Sequence, residues 1–151
     1  MSTNFSIKAI HFGSKEYLEM VDLRRKILRI PLGLDFSEED LNKDINSGLL
    51  ASYNSKNEIL GCCVIDFNPL ESTIKVRQMA VDTHFQNEGI GKQLMLEVEE
   101  WAKREKINRI HLHARKIAVT FYQKQGYKVC SNEFTEVSIP HFEMEKRIKS
   151  D

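Results

Sequence analysis

Between Val76 and Lys92 the chain reads VRQMAVDTHFQNEGIGK, and this segment limits the fold more than any other. Thr73–Val81 has the alternation of a strand, and a polar stretch follows it. Two glycines, Gly89 and Gly91, then lead directly into a helical pattern from about Lys92 to Lys106. In that pattern Ile90, Leu94, Val98, Trp101 and Ala102 form one apolar stripe, with Glu99/Lys103 and Glu100/Arg104 expected to pair on the wet side. Glycines at 89 and 91 remove side chains where backbone N–H groups can converge. The helix start adds unpaired donors and a partial positive charge. Strand, glycine turn and helix N-terminus together make a cradle for a phosphate.

Two common nucleotide loops do not fit. A Walker loop needs a glycine five residues before its Gly-Lys pair and Ser or Thr after it, whereas Gln86 and Gln93 stand there. A dinucleotide fingerprint closes on Gly or Ala, and position 94 is Leu.

The flanking sequence supplies strands and short helices in alternation. Ser6–Phe12 reads as a strand, Ser14 as an N-cap, and Lys15 to about Arg29 as a helix ended by Pro31 and Gly33. Ser37 with Glu38, Glu39 and Asp40 opens a second helix. Leu49–Tyr53 and Ile59–Phe67 read as strands joined by the turn Asn54–Glu58. Ile110–Ala114 alternates with His111 and His113 on one face; a helix from about Lys116 to Gln125 stops at Gly126; Tyr127–Cys130 and Phe142–Lys146 complete the strands. Phe12, Phe67 and Trp101 read as core. With no repeat or linker in 151 residues, the expectation is a single domain, 1–151, of α/β (α+β) class around one sheet.

Charge and cysteine content narrow the function. Lys and Arg total 22 and Asp and Glu total 22, so no bulk field draws in nucleic acid or an anionic membrane. The 3 cysteines, Cys62, Cys63 and Cys130, form no C-x-x-C pair, which argues against a disulfide framework and a zinc site. No basic n-region precedes a long apolar stretch and no apolar run approaches the ~20 residues needed to span a bilayer. A soluble protein of the cytoplasm is expected.

Gln86-Asn87-Glu88-Gly89-Ile90-Gly91 resembles the Q/R-x-x-G-x-G/A motif of the GNAT superfamily of N-acetyltransferases. Met79-Ala80-Val81 stands where that family's central strand meets its cofactor, and Phe121-Tyr-Gln-Lys-Gln-Gly-Tyr127 is similar to its F-Y-x-x-x-G-F/Y segment. Leu23-Arg24-Arg25, Arg77-Gln-Met-Ala, His113-Ala-Arg115 and Ile139-Pro-His141 resemble a group of small uncharacterised bacterial members. The resemblance implies a mixed, splayed central sheet flanked by about four helices, with acetyl-CoA as acyl donor. It implies that Met79, Ala80 and Val81 meet the pantetheine and that Gln86, Asn87, Glu88, Gly89, Ile90, Gly91 and Lys92 hold the pyrophosphate. Tyr122 then matches the general acid.

Acyl transfer to an amine requires an amine proton to leave, a donor to the developing oxyanion, and a proton for the departing thiolate. A phenol can supply the last, and a backbone N–H near Met79–Ala80 the second, with no metal required. Glu133 and His141 are candidates to touch the acceptor or its proton. Gln78, His113 and Arg24 are candidates for binding the acceptor. By alternation Gln78 faces away from Met79, and Arg24, on the apolar face of the first helix, reads as an anion anchor or a snorkelling side chain. The expected partner is a small-molecule amine, without nucleic acid or membrane, with room for a homodimer. A non-catalytic acyl-CoA sensor and a protein lysine acetyltransferase are the rival readings.

Overall fold

The structure, a computed structural model, describes residues 4–149. It contains eight β-strands and four α-helices among those residues, in a mixed open sheet. Backbone contacts divide the chain into two compact units, one comprising the chain through Asp66 with Gln78–Val98, the other Phe67–Arg77 with the chain from Glu99 on.

In the first unit, β1 (Phe5–Ala9), β2 (Gly48–Asn54) and β3 (Ile59–Asn68) run antiparallel in that order. The pairing passes from Phe5↔Asn54 to Ala9↔Leu50, then from Gly48↔Ile65 to Ser52↔Gly61, where a bulge shifts the register. Alternation sends Leu49, Ala51, Tyr53, Cys62 and Val64 to one face. There they meet Tyr17, Met20, Val21 and Leu23 of α1 (Lys15–Arg24). Ser14 caps α1, its hydroxyl accepting from the Tyr17 N–H at 3.1 Å.

The helix expected to run to Arg29 changes its winding. The α-helix ends at Arg24, a π turn covers Arg25–Arg29, and a 3-10 turn, Ile30–Leu32, closes on Gly33 at φ 71. Wider winding keeps the adjacent Ile27 and Leu28 both against the core. The short α2 (Glu38–Asn42) starts with a full capping box between Ser37 and Asp40.

Arg24 does not snorkel. It is 1% exposed, and its Nη1 donates to Asp44 Oδ2 at 2.8 Å, with Asp44 at 0%. The Tyr17 hydroxyl donates to the same oxygen at 2.7 Å, and the guanidinium lies 4.9 Å from the centre of the Phe36 ring. Burial and then Asp44 push the Tyr17 phenol up to about 12, so it remains a donor.

β4 spans Thr73–Val81, and its residues up to Arg77 lie in the second unit, where they pair in parallel with β5 (Arg109–Arg115) from Thr73↔Arg109 to Val76↔Leu112. β8 (Ile139–Arg147) runs antiparallel to β5 along its length, and β6 (Lys128–Val129) and β7 (Phe134–Glu136) both pair with β8. The strand order is β1-β2-β3-β4-β5-β8-β6. β7 escapes sequence reading because its two-residue turn uses Val137 (φ 45) and Ser138 (φ 67) in place of the Asn-Gly type that marks such turns.

α3 spans Ile90–Arg104 and starts two residues earlier than its sequence pattern suggested. Glu99 is not on the wet side. It is 7% exposed and accepts from Tyr127 Oη at 3.0 Å and Lys146 Nζ at 2.8 Å; Lys146 also donates to the Gln125 carbonyl at 2.8 Å. The surface pair is Lys103 with Glu100 instead. Phe12 and Phe67 are exposed, not core, with Phe67 set edge-on to Trp101. None of the described helices is long and apolar enough to cross a membrane.

Removing one partner of a buried ion pair strands the other. Asp44→Ala is expected to destabilise the protein by about 3–5 kcal/mol in denaturant unfolding, with the apolar double replacement Arg24→Met/Asp44→Leu recovering most of that loss.

Candidate active site

The glycine loop is shaped by two left-handed residues, Asn87 (φ 68) and Gly89 (φ 83). Gly89 O accepts the Gln93 N–H at 3.0 Å, closing the first turn of α3. The N–H groups of Ile90, Gly91 and Lys92 open that turn and have no acceptor within the helix. A side chain built at Gly89 would meet nothing within 4 Å, so the space in front of the loop is open. Gln86 folds back, Nε2 donating to Val81 O at 3.3 Å, and Ile90 and Gly91 are buried while Gln86–Gly89 are exposed. A turn with left-handed residues at a helix start, backed by a packed first turn, fits a diphosphate.

Upstream, β4 is not a regular strand. Gln78 has φ 58, a conformation a non-glycine residue adopts at a cost of about 1–3 kcal/mol. The alternation that set Gln78 opposite Met79 breaks here, and Arg77, Gln78 and Met79 are all half-buried. The Gln78 Oε1 is a buried acceptor with no hydrogen-bond partner among the described residues. Ala80 is buried, and Asp82 N–H donates to Leu60 O at 2.8 Å, tying the end of β4 to β3. Asp82 Oδ1 accepts from the His84 N–H, and its Oδ2 faces Lys26 at 3.2 Å.

The second unit carries Tyr122. It lies on α4 (Val119–Gln123), 6% exposed, with ring centres 5.0 Å from Phe121 and 6.0 Å from Tyr127. The helix expected over 116–125 begins as a 3-10 turn, Lys116–Ala118. Gly126, at φ 92, turns the chain, and Tyr127 N–H reaches back to Tyr122 O at 3.1 Å. A Cβ on Gly126 would lie 3.3 Å from Lys146 Cε, so conformation and packing both favour glycine.

His113 and His141 share one carboxylate, that of Glu136, which sequence reasoning did not single out. His113 Nδ1 lies 2.9 Å from Glu136 Oε1, and His141 Nε2 lies 3.6 Å from Oε2. His141 is 4% exposed, with Nδ1 at 2.9 Å from Ile139 O, and the Phe134 ring centre lies 5.0 Å from that of His113 and 6.0 Å from that of His141. The unusual Val137-Ser138 turn brings Glu136 there, and only the hairpin register could have revealed it. Glu133 is instead at 3.0 Å from Lys116 Nζ, outside this group. Burial first, and the nearby Arg109 second, hold the His111 imidazole below its ordinary pKa. Cys62 and Cys63 are fully buried, which pushes the Cys62 thiol up to about 12 and makes it inert. No group of three or more His, Cys, Asp or Glu among the described residues could hold a metal ion.

Residues 34–148 match the acetyltransferase (GNAT) domain family, and the chain belongs to that family. An uncharacterized Bacillus subtilis protein, YyaT, is 36% identical over 76 residues, 50% of this chain and 51% of that one, so the chain spans about half the length of this curated relative. A putative N-acetyltransferase of Lactobacillus plantarum superimposes with a TM-score of 0.83 at 17% identity, over 99% of this chain and 100% of that one. The PaiA N-acetyltransferase of Thermoplasma acidophilum, solved with coenzyme A, superimposes with a TM-score of 0.72 at 18% identity, covering 95% and 99%. At such identities the structures show a shared fold.

Gly89→Val separates the loop from the fold. The added side chain meets no neighbour, yet a β-branched residue resists φ 83. Far-UV CD is expected to stay native while acetyl-CoA affinity in calorimetry falls about 100-fold or more, near 2.8 kcal/mol. Wild-type affinity in this variant would contradict the cradle.

Proposed function

We propose that this chain is an N-acetyltransferase that moves the acetyl group of acetyl-CoA onto a primary amine of a small molecule. The reading is carried by the Gln86–Gly91 turn opening α3, in a chain of the GNAT family. Further support comes from the coenzyme A complex of a neighbour that shares the fold.

In the proposed reaction the loop from Gln86 to Lys92 holds the pyrophosphate, and the backbone of Met79, Ala80 and Val81 holds the pantetheine. The deprotonated amine attacks the thioester carbonyl. A C–N bond forms, and a backbone N–H near Met79–Ala80 donates to the oxyanion. Collapse breaks the C–S bond, and the Tyr122 hydroxyl gives its proton to the leaving thiolate. His141 takes the amine proton, with Glu136 as its carboxylate partner; Glu133, engaged by Lys116, is the weaker candidate. Gln78, with its unpartnered Oε1, and His113 are assigned to the acceptor side. Arg24 is left out of the site because its guanidinium is buried on Asp44. The reaction requires no metal, and balanced charge favours a small acceptor over a polyanion.

Turnover of acetyl-CoA against a panel of small amines, read as released thiol, tests the reading. Tyr122→Phe is expected to lower kcat about 100-fold while acetyl-CoA affinity changes less than about threefold. Unchanged turnover would remove Tyr122 as the acid. Wild-type protein that binds acetyl-CoA but acetylates none of the amines would favour a sensor.

A further inference from the structure

Gly61 sits inside β3, opposite Ser52 of β2. Glycine in a strand interior costs about 0.5–1 kcal/mol relative to alanine, so its presence needs a reason. Backbone conformation does not supply one, because Gly61 is absent from the positive-φ glycines of the structure. Space does. A Cβ at position 61 would stand 2.9 Å from Ile90 Cγ2, 3.2 Å from Ala80 O and 3.4 Å from Leu94 Cδ1. Ile90 is the first residue of α3 and 1% exposed, and Leu94, one turn on, is 0% exposed. The bare backbone of β3 is therefore the seat of the first turn of α3.

The two closest contacts differ in how far they can yield. Ala80 O belongs to β4, whose end is tied to β3 by the Asp82 N–H to Leu60 O bond at 2.8 Å. Ile90 follows Gly89, whose surroundings are open. A methyl group at position 61 must displace Ile90 Cγ2, and Ile90 is the residue that carries the loop into α3.

We infer that Gly61 is a positioning residue for the diphosphate cradle. Its missing side chain sets the depth at which Gly89 and the N–H groups of Ile90, Gly91 and Lys92 stand beside the end of β4. The inference rests on the reading that this loop holds the diphosphate of acetyl-CoA. Oriented backbone donors lose their effect quickly when displaced, because hydrogen bonds weaken steeply outside a narrow range of distance and angle.

The test uses the full chain with acetyl-CoA as probe, in calorimetry at a temperature where every variant is folded, alongside the thermal midpoint. Gly61→Ala is expected to weaken acetyl-CoA about tenfold, the worth of about one hydrogen bond to a charged group. Ile90→Ala removes the Cγ2 methyl that an alanine at 61 would strike, whereas Ile90→Val keeps it. Gly61→Ala/Ile90→Ala should therefore bind at least about threefold more tightly than Gly61→Ala, and Gly61→Ala/Ile90→Val should show no recovery. A residue that only packs would lower the thermal midpoint and leave affinity unchanged. Affinity of Gly61→Ala within about twofold of wild type, or equal recovery by both second substitutions, overturns the inference. Should Gly61→Ala fail to fold, adding it to Ile90→Ala carries the same test: added alanine must cost less affinity there than in an Ile90→Val background. Wild-type protein without affinity for acetyl-CoA would remove the loop reading and this inference together, whereas wild-type binding with an indifferent Gly61→Ala would remove this inference alone.

Discussion

The N–H groups that open a helix have no partners within it, and those of α3 stand in the first unit directly after the Gln86–Gly89 turn. Their position depends on a close approach. Ile90 and Leu94 rest on β3 at Gly61, and Asp82 holds the end of β4 to Leu60. Ahead of them the loop passes through left-handed Asn87 and Gly89. On the proposed reading, burial beneath and openness in front act together: a packed first turn keeps the donors from moving, and an open approach gives an anion access to them.

Polar groups buried in both units do a different job. Arg24, Asp44 and Tyr17 form one network under α1, and Glu99, Lys146 and Tyr127 form another. Each charged member is matched by an opposite charge, and each phenol donates to a carboxylate. Such pairs add little net stability over apolar packing but penalise any arrangement that separates them. The second network holds Tyr127, whose ring meets Tyr122 and whose N–H bonds the Tyr122 carbonyl. Tyr122 is thereby set on a short α4 that few helical hydrogen bonds would otherwise stabilise.

Much of the architecture was legible because it follows from local rules. Ser14 and the Ser37–Asp40 box cap helices as their residue types require, Thr73–Val81 forms a strand, and Gly126 ends a helix. What escaped depends on neighbours far along the chain. Arg24 and Glu99 read as surface or half-surface charges until Asp44 and Lys146 are brought to them. The left-handed Gln78 interrupts a sequence that alternates well, and Glu136 reaches His113 and His141 only through a turn of Val and Ser. In the cradle the glycines at 89 and 91 announce themselves beside a helix start. Gly61, some thirty residues earlier, carries no such mark.

Isothermal titration of the wild-type chain with acetyl-CoA addresses the cradle most directly. Saturable binding at one site per chain, weakened by added inorganic pyrophosphate, is the predicted result. A folded sample that takes up no acetyl-CoA would contradict the assignment of Gln86–Lys92 to the diphosphate, and with it acetyl transfer.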